Sequence, residues 1–347
     1  MKRRKIKIVL WTAGFLMLLT VGATAGYAAY LTDKAKDTAN ASHQSLERGE
    51  KSDKRNEVVT PDLNSTSVLF IGVDDSETRD NHEGGERRSL SDALVLATFN
   101  NDEKSVKLVS IPRDSYTYIP EVGYEDKITH AHAFGGTDAT INTVENLLDV
   151  PVDYYVRLNF NSFVDVVDSI NGVKFDVPFD LEEQNSEDTQ NAIELEEGRQ
   201  VVDGEEALAL VRSRQYDSDL GRGERQMEMI EAIVDKAASA GAVKNYGSVI
   251  DSIGDNMKTN LTFNEMTSYK DYVISENGLD FEEMQLEGEG GYMDDGVWYY
   301  QIDDSSLADI QSSLRTHLEL GDQAQPHSFA GENPETSDTE TGEQDRY

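Results

Sequence analysis

The chain of 347 residues contains no cysteine. That one absence excludes disulfides, thiol nucleophiles and cysteine-ligated zinc together. Basic residues are also scarce: 31 Lys and Arg stand against 67 Asp and Glu, a net charge of -36. A surface of this sign repels nucleic acid and anionic lipid at low salt. No helix-turn-helix pattern is readable, so nucleic acid is not an expected partner. Nor is there a Gly-x-x-x-x-Gly-Lys loop, and a nucleotide phosphate donor is not indicated. The acidity resembles that of salt-adapted proteins, although a simple need for solubility accounts for it equally well.

What charge of positive sign there is begins at the N-terminus. Lys2, Arg3, Arg4, Lys5 and Lys7 form a basic stub over 1–7, followed by an uncharged apolar run over 8–30. A span needs roughly 20 apolar residues, and a basic flank stays in the cytoplasm. The expectation is a single-pass signal anchor in the cell membrane, with everything after Tyr30 extracytoplasmic. A cleaved signal peptide, with Ala23-Thr24-Ala25 as the small-residue site, is the alternative, and it exports the chain too. Residues 31–64 read as a polar stalk and 321–347 as an acidic disordered tail. The catalytic domain is expected over 65–320, with no internal repeat.

Within that unit strand and helix patterns alternate. Strands are predicted at Ser67–Val73, Ala93–Phe99, Ser105–Ile111, Val152–Asn159 and Val173–Val177, and near Phe281–Leu286 and Val297–Ile302. The second and third make a hairpin across the polar turn 100–104. Helices are predicted at Asp138–Leu148, Phe163–Ile170, after Asp203 with Glu206 as a capping box, and at Gly223 to about Ala240. Phe263–Ile274 and Leu307–Leu318 complete the set. Met227, Ile230, Ile233 and Val234 read as the buried stripe of the fourth helix. This order implies an α/β class: a three-layer αβα single domain on a mixed, partly antiparallel sheet.

Two clusters carry chemistry. Asp74 ends the first apolar strand, Asp92 opens the second and Arg113 follows the third. If the first and third strands run the same way, all three meet at one edge of the sheet. Two carboxylates there form a hard oxygen site suited to Mg2+ or Mn2+; ordinary turn chemistry is the plainer reading of any one of them. The second cluster is Arg212, Arg214, Arg222 and Arg225, with Gln226 beside the last. Guanidinium forks bind phosphate oxygens in pairs, and a helix N-terminus adds to their field. A salt-bridge network with Asp217, Asp219 and Glu224 is the alternative. Taken together, the clusters suit phosphoryl transfer from a diphosphate to a hydroxyl, with Asp75 or Asp92 as the base. His130 and His132, without a third ligand, read as structural, and Gly135-Gly136 as a turn. Tyr154, Tyr155 and the stretch through Val177 read as core or as the lining of a channel for a lipid tail.

The order of segments resembles the LytR–CpsA–Psr family of cell-wall ligases. The matching segments include Leu69-Phe-Ile-Gly-Val-Asp-Asp75, Ser91-Asp-Ala-Leu-Val95, Val109-Ser-Ile-Pro-Arg-Asp114, Val211-Arg-Ser-Arg214 and Asp219-Leu-Gly-Arg-Gly-Glu-Arg-Gln226. Thr259-Asn-Leu-Thr262 and Val297-Trp-Tyr-Tyr300 look closest to the LytR-type, TagU-like branch. The resemblance implies a phosphotransferase that moves an anionic glycopolymer, such as wall teichoic acid, from undecaprenyl pyrophosphate to a muramic acid hydroxyl of peptidoglycan. It implies Asp74 and Asp92 as metal ligands, with Arg113, Arg212, Arg214, Arg222, Arg225 and Gln226 on the pyrophosphate. Where the family has Arg before the Asp92 motif this chain has Leu90, so Arg88 is the substitute that the resemblance offers. Hydrolysis of the same pyrophosphate, and a non-catalytic envelope-binding or transcription-attenuating role, are the other functions considered.

Overall fold

The computed structural model describes residues 29–74, 89–214, 219–238, 257–269, 272 and 281–321. The expected span before residue 29, the acidic tail after 321, Asp75 and Arg88 lie outside them. Among the described residues no helix is long and apolar enough to cross a membrane.

The strands follow from apolar alternation. β1 (Thr66–Val73), β2 (Ser91–Asn100) and β3 (Ser105–Ser110) form an antiparallel meander, with Phe70 opposite Val95 and Leu96 opposite Val109. Lys104 takes the left-handed conformation that closes the β2–β3 turn. Two short hairpin strands come next, β4 (Tyr116–Ile119) and β5 (Tyr124–Lys127), then β6 (Tyr154–Asn159), which joins β1 in parallel. β7 (Val173–Val177), β8 (Leu181–Glu183), β9 (Ile193–Leu195) and β10 (Gly198–Val202) make two small ribbons outside the main sheet. β11 (Met257–Thr259) and β12 (Phe281–Gln285) close the two edges of the main sheet. β13 (Gly288–Tyr292) and β14 (Trp298–Ile302) form a last hairpin. The main sheet is six-stranded and mixed, in the order β11-β6-β1-β2-β3-β12. β1 and β3 therefore run the same way on either side of β2, as the shared sheet edge required.

Among the described residues seven helices accompany the strands: α1 (29–42), α2 (Thr129–Leu148), α3 (Phe160–Ser169), α4 (Gly204–Arg212), α5 (Asp219–Ala238), α6 (Phe263–Ser268) and α7 (Asp304–His317). α2 is longer than predicted because it is two helices joined at a kink, where Gly136 takes a positive φ of 65°. α4 starts with the predicted capping box: Asp203 Oδ1 accepts from Glu206 N at 3.0 Å, and Glu206 Oε2 accepts from Asp203 N at 2.8 Å. Each such cap is worth about 1 kcal/mol.

Successive side chains point to opposite faces of a strand. Leu69, Ile71, Val73, Leu94, Leu96 and Val109 pack one face of the sheet against Ile141, Val144 and Leu148 of α2 and Ile310 and Leu314 of α7. Fully burying each contributes about 1.5–3 kcal/mol. On the other face Val95, Ala97 and Leu108 meet Met227 of α5. Helices thus cover both faces of a mixed α/β domain. Residues 43–64 lie along this domain as well. Leu46 enters the main core, Arg48 pairs with Glu145 at 2.7 Å and Arg55 with Asp153 at 2.6 Å.

Candidate active site

A cavity of about 480 Å³ lies between the second face of the sheet and helices α3, α4 and α5. Its polarity is graded along α5. Arg222 and Gln226 line it near the start of the helix, then Met229 and Ile230, then Ile233 and Val234. At 1.5 Å per residue that sequence spans about 18 Å. The sheet repeats the gradient: Asp74, Asp92 and Arg113 line the polar end, Gly72 and Ala93 come next, and Phe70 and Val95 lie deeper. Val156, Leu158, Phe163 and Val166 complete the apolar wall. The periodicity of α5 was read as core, but only Met227 is buried in the packing; Ile230, Ile233 and Val234 are partly exposed in the cavity.

The polar end gathers most of the predicted residues. Arg113 pairs with Asp92 through Nη1, and Arg222 donates from Nη2 to the Asp92 carbonyl. Asp114 anchors the other side: its carboxylate meets Lys127 at 2.9 Å, Arg214 at 3.3 Å and Arg113 at 3.7 Å. Burial raises the Asp114 carboxyl. The Lys127 hydrogen bond and the charges of Arg113, Lys127 and Arg214 outweigh that and hold it below the ordinary carboxylate range. Sequence reasoning passed over Asp114 and Lys127, although Asp114 adjoins Arg113 in the chain.

Arg212 sits over the Phe160 ring, its Cζ 4.3 Å from the centroid, with one nitrogen 4.0 Å from Asp188. Its Nη1 is buried with no hydrogen-bond partner among the described residues. A buried guanidinium nitrogen in that state costs free energy unless a ligand accepts from it. Gln226 donates from Nε2 to the Val211 carbonyl at 3.2 Å.

Arg225 departs from expectation. It was placed on the anion with Arg222, but it does not line the cavity. Its Nε donates to the Leu210 carbonyl at 2.9 Å and its Nη2 to the Ser213 carbonyl at 2.8 Å, with Phe179 under the guanidinium. Three residues advance a helix by 300°, so Arg225 points to the flank, whereas the spacing of four from Arg222 to Gln226 keeps both on the cavity face.

His130 pairs with Asp126 at 2.8 Å, and no group of three metal-ligating side chains occurs among the described residues. Asp74 and Asp92 remain as two hard oxygen donors at the end of the cavity where the arginines converge. That donor set suits a magnesium-like ion that takes its other ligands from water and substrate phosphate.

Comparison with known proteins follows the same lines. A sequence profile of the LytR_cpsA_psr family matches residues 29–316. The polyisoprenyl-teichoic acid–peptidoglycan teichoic acid transferase TagT of Bacillus subtilis (strain 168) is 42% identical over 320 residues, covering 91% of this chain and 97% of that protein. TagU, a transferase of the same name from Bacillus anthracis (strain CDC 684 / NRRL 3495), is 38% identical over 322 residues, covering 91% and 99%. A solved structure of the LytR-CPS2A-psr family protein YwtF (TagT) with bound octaprenyl pyrophosphate lipid matches with a TM-score of 0.64 at 39% identity. It covers 80% of this chain and all of that one, 100%.

Proposed function

The chain belongs to the LytR–CpsA–Psr family, and on that premise we propose that it attaches an anionic glycopolymer to peptidoglycan. The donor is an undecaprenyl-pyrophosphate-linked polymer, wall teichoic acid or one like it, and the acceptor is a muramic acid hydroxyl. The observation that carries this reading is the graded cavity: it runs about 18 Å along α5, apolar at one end and closed at the other by Arg113, Arg212, Arg214 and Arg222. A polyprenyl diphosphate has the same two-part chemistry.

In this reading the prenyl chain fills the space beside Phe70, Phe163 and Ile233, and the diphosphate lies among the four guanidiniums. The unpartnered Arg212 Nη1 gains an acceptor, and the apolar wall keeps water from the reacting phosphorus. The acceptor oxygen bonds to the phosphorus that carries the polymer sugar. The bond from that phosphorus to the bridging oxygen breaks, and polyprenyl phosphate leaves with the bridging oxygen. The hydroxyl proton passes to a carboxylate, Asp92 or Asp75. Arg88 is the further cation that the family resemblance assigns to this anion.

Asp74 and Asp92 would hold Mg2+ or Mn2+. When bound, that ion supplies further neutralisation of the diphosphate oxygens. The chain's own arginines orient the diphosphate and neutralise most of its charge. The apolar run over 8–30, read as a single-pass anchor, keeps the domain at the outer membrane surface where such a lipid presents its head group.

Full-length protein in detergent, given lipid-linked donor and peptidoglycan fragments, is expected to form linked polymer and release polyprenyl phosphate. Chelation should lower the rate and Mg2+ restore it. Arg113→Ala and Asp92→Ala should form no linked product; normal product from both overturns these roles. Release of polyprenyl phosphate at the same rate without acceptor identifies a hydrolase instead.

A further inference from the structure

The two hairpins that flank Arg113 are where the domain concentrates exposed aromatic surface. β4 begins two residues after Asp114, and β14 is tied to it by the Ser115–Tyr300 bridge and by Tyr300 N donating to the Asp114 carbonyl at 2.9 Å. Tyr118, Tyr124, Tyr292 and Val297 in this region are all exposed large side chains. Single exposed apolar residues need no explanation, but a cluster beside a site does.

Register sets Tyr118 of this cluster in a row with the half-buried Tyr116 and, behind it, the buried Tyr299. Tyr116 and Tyr118 lie two apart on β4, hence on one face, paired with Lys127 and Glu125 of β5. The Tyr299 ring meets Tyr116 edge to face, with centroids 4.9 Å apart at 69°. Lys127 joins the row to the site: its ammonium is 5.7 Å from the Tyr299 centroid and 2.9 Å from Asp114 Oδ1. The row therefore starts beside the Arg113–Asp114–Arg214 cluster and runs outward to Tyr118.

Its other polar groups are acceptors. Tyr299 donates its hydroxyl to Asp295 at 3.0 Å, and Glu125 sits across from Tyr118 on the neighbouring strand. Over 116–127 and 288–302 the one basic residue is Lys127, against Glu121, Glu125, Asp126, Glu289, Asp294 and Asp295. Such a surface disfavours the phosphate-rich donor polymer. It favours a ligand with apolar faces and many neutral donors. A pyranose has both, because its C–H face packs on an aromatic ring while its hydroxyl and amide N–H groups reach carboxylates.

We propose that the row Tyr299–Tyr116–Tyr118 is the acceptor subsite, which docks the acetamido-sugar glycan strand of peptidoglycan. Tyr118 and Tyr116 pack against sugar faces, and Glu125 and Asp295 accept from sugar donors. The position of the acceptor hydroxyl rests on the transferase reading above; glycan binding itself does not.

The test uses an uncharged probe, the N-acetylglucosamine tetrasaccharide, titrated into the full-length protein in detergent. Tyr118 is 36% exposed, so its replacement leaves the core intact. Tyr118→Ala is expected to weaken tetrasaccharide binding about tenfold, while Tyr118→Phe stays near wild type. Octaprenyl pyrophosphate affinity should be unchanged in both. In turnover, Tyr118→Ala should raise the acceptor KM by the same factor at unchanged kcat. Absence of tetrasaccharide binding to the wild type, or wild-type binding by Tyr118→Ala, overturns the subsite. Normal tetrasaccharide binding with no linked product overturns the transferase reading and supports the subsite.

Discussion

Gly223 of α5 stands so close to Ser110 of β3 that a Cβ added to it would lie 2.7 Å from the serine Oγ and 3.0 Å from its Cβ. This contact sets the height of α5 above the sheet, and with it the reach of Arg222 to the Asp92 carbonyl. Gly223→Ala must push the helix outward or force Ser110 aside, a strain of about 1–3 kcal/mol. The expected outcome is a lower Tm and weaker binding of octaprenyl pyrophosphate. Adding Ser110→Gly removes the obstructing atoms and should recover both. A single variant with wild-type Tm and affinity would show that the helix is not seated by this contact.

One buried and one half-buried group tilt stability with pH in opposite directions. Burial, aided by the Lys107 charge, lowers His317 to about 4; the ring bridges Thr98 at 2.8 Å and Ser105 at 2.9 Å. Its unfolded value is about 6.5, so between 6.5 and 4 the unfolded chain binds more protons and stability falls as pH falls, by on the order of 2 kcal/mol. Glu283 is raised to about 7 by burial and by Glu231, Glu228 and Glu224. It costs stability as pH rises from about 4.5 to 7. Melting curves should therefore show His317→Gln losing less Tm than wild type from pH 6.5 to 4. Glu283→Gln should melt higher than wild type at pH 8 and equally at pH 4. The reverse pattern in either variant would contradict these environments.

Local signals in this chain were readable because one or two neighbours produce them. The alternation of β1–β3 fixes which side chains enter the core, and Asp203 with Glu206 satisfies its own helix end. The β4–β5 hairpin was missed because each strand has only four residues and Ile119, its one fully buried strand residue, is also the one aliphatic side chain in either strand. The parallel pairing of β12 with β3 joins segments more than 170 residues apart, and no local pattern records it. At the site, the sheet edge was legible from strand ends, since β1 and β3 run the same way. Ile230, Ile233 and Val234 looked like core because apolar periodicity reports what avoids water, whether the space beyond is filled or left open. Asp114 and Lys127 meet only once the β4–β5 hairpin closes.

Arg212 and Arg225 carry the same charge, but the structure gives them separable tasks. Arg225 caps the Leu210 and Ser213 carbonyls at the end of α4. Arg225→Met leaves both without those donors, and a buried unsatisfied acceptor costs about 1–3 kcal/mol. It should lower Tm markedly, with loss of lipid binding following from displacement of α4. Arg212→Met removes a guanidinium whose Nη1 has no partner among the described residues, so Tm should change little. Octaprenyl pyrophosphate affinity should fall at least about tenfold, as expected for a charge-assisted hydrogen bond. Arg212→Lys keeps the charge but loses the guanidinium's contact over the Phe160 ring and the second fork nitrogen. It should fall between wild type and Arg212→Met in affinity at wild-type Tm. Equal Tm losses in the Arg212 and Arg225 variants, or equal affinity losses at equal Tm, would abolish the division.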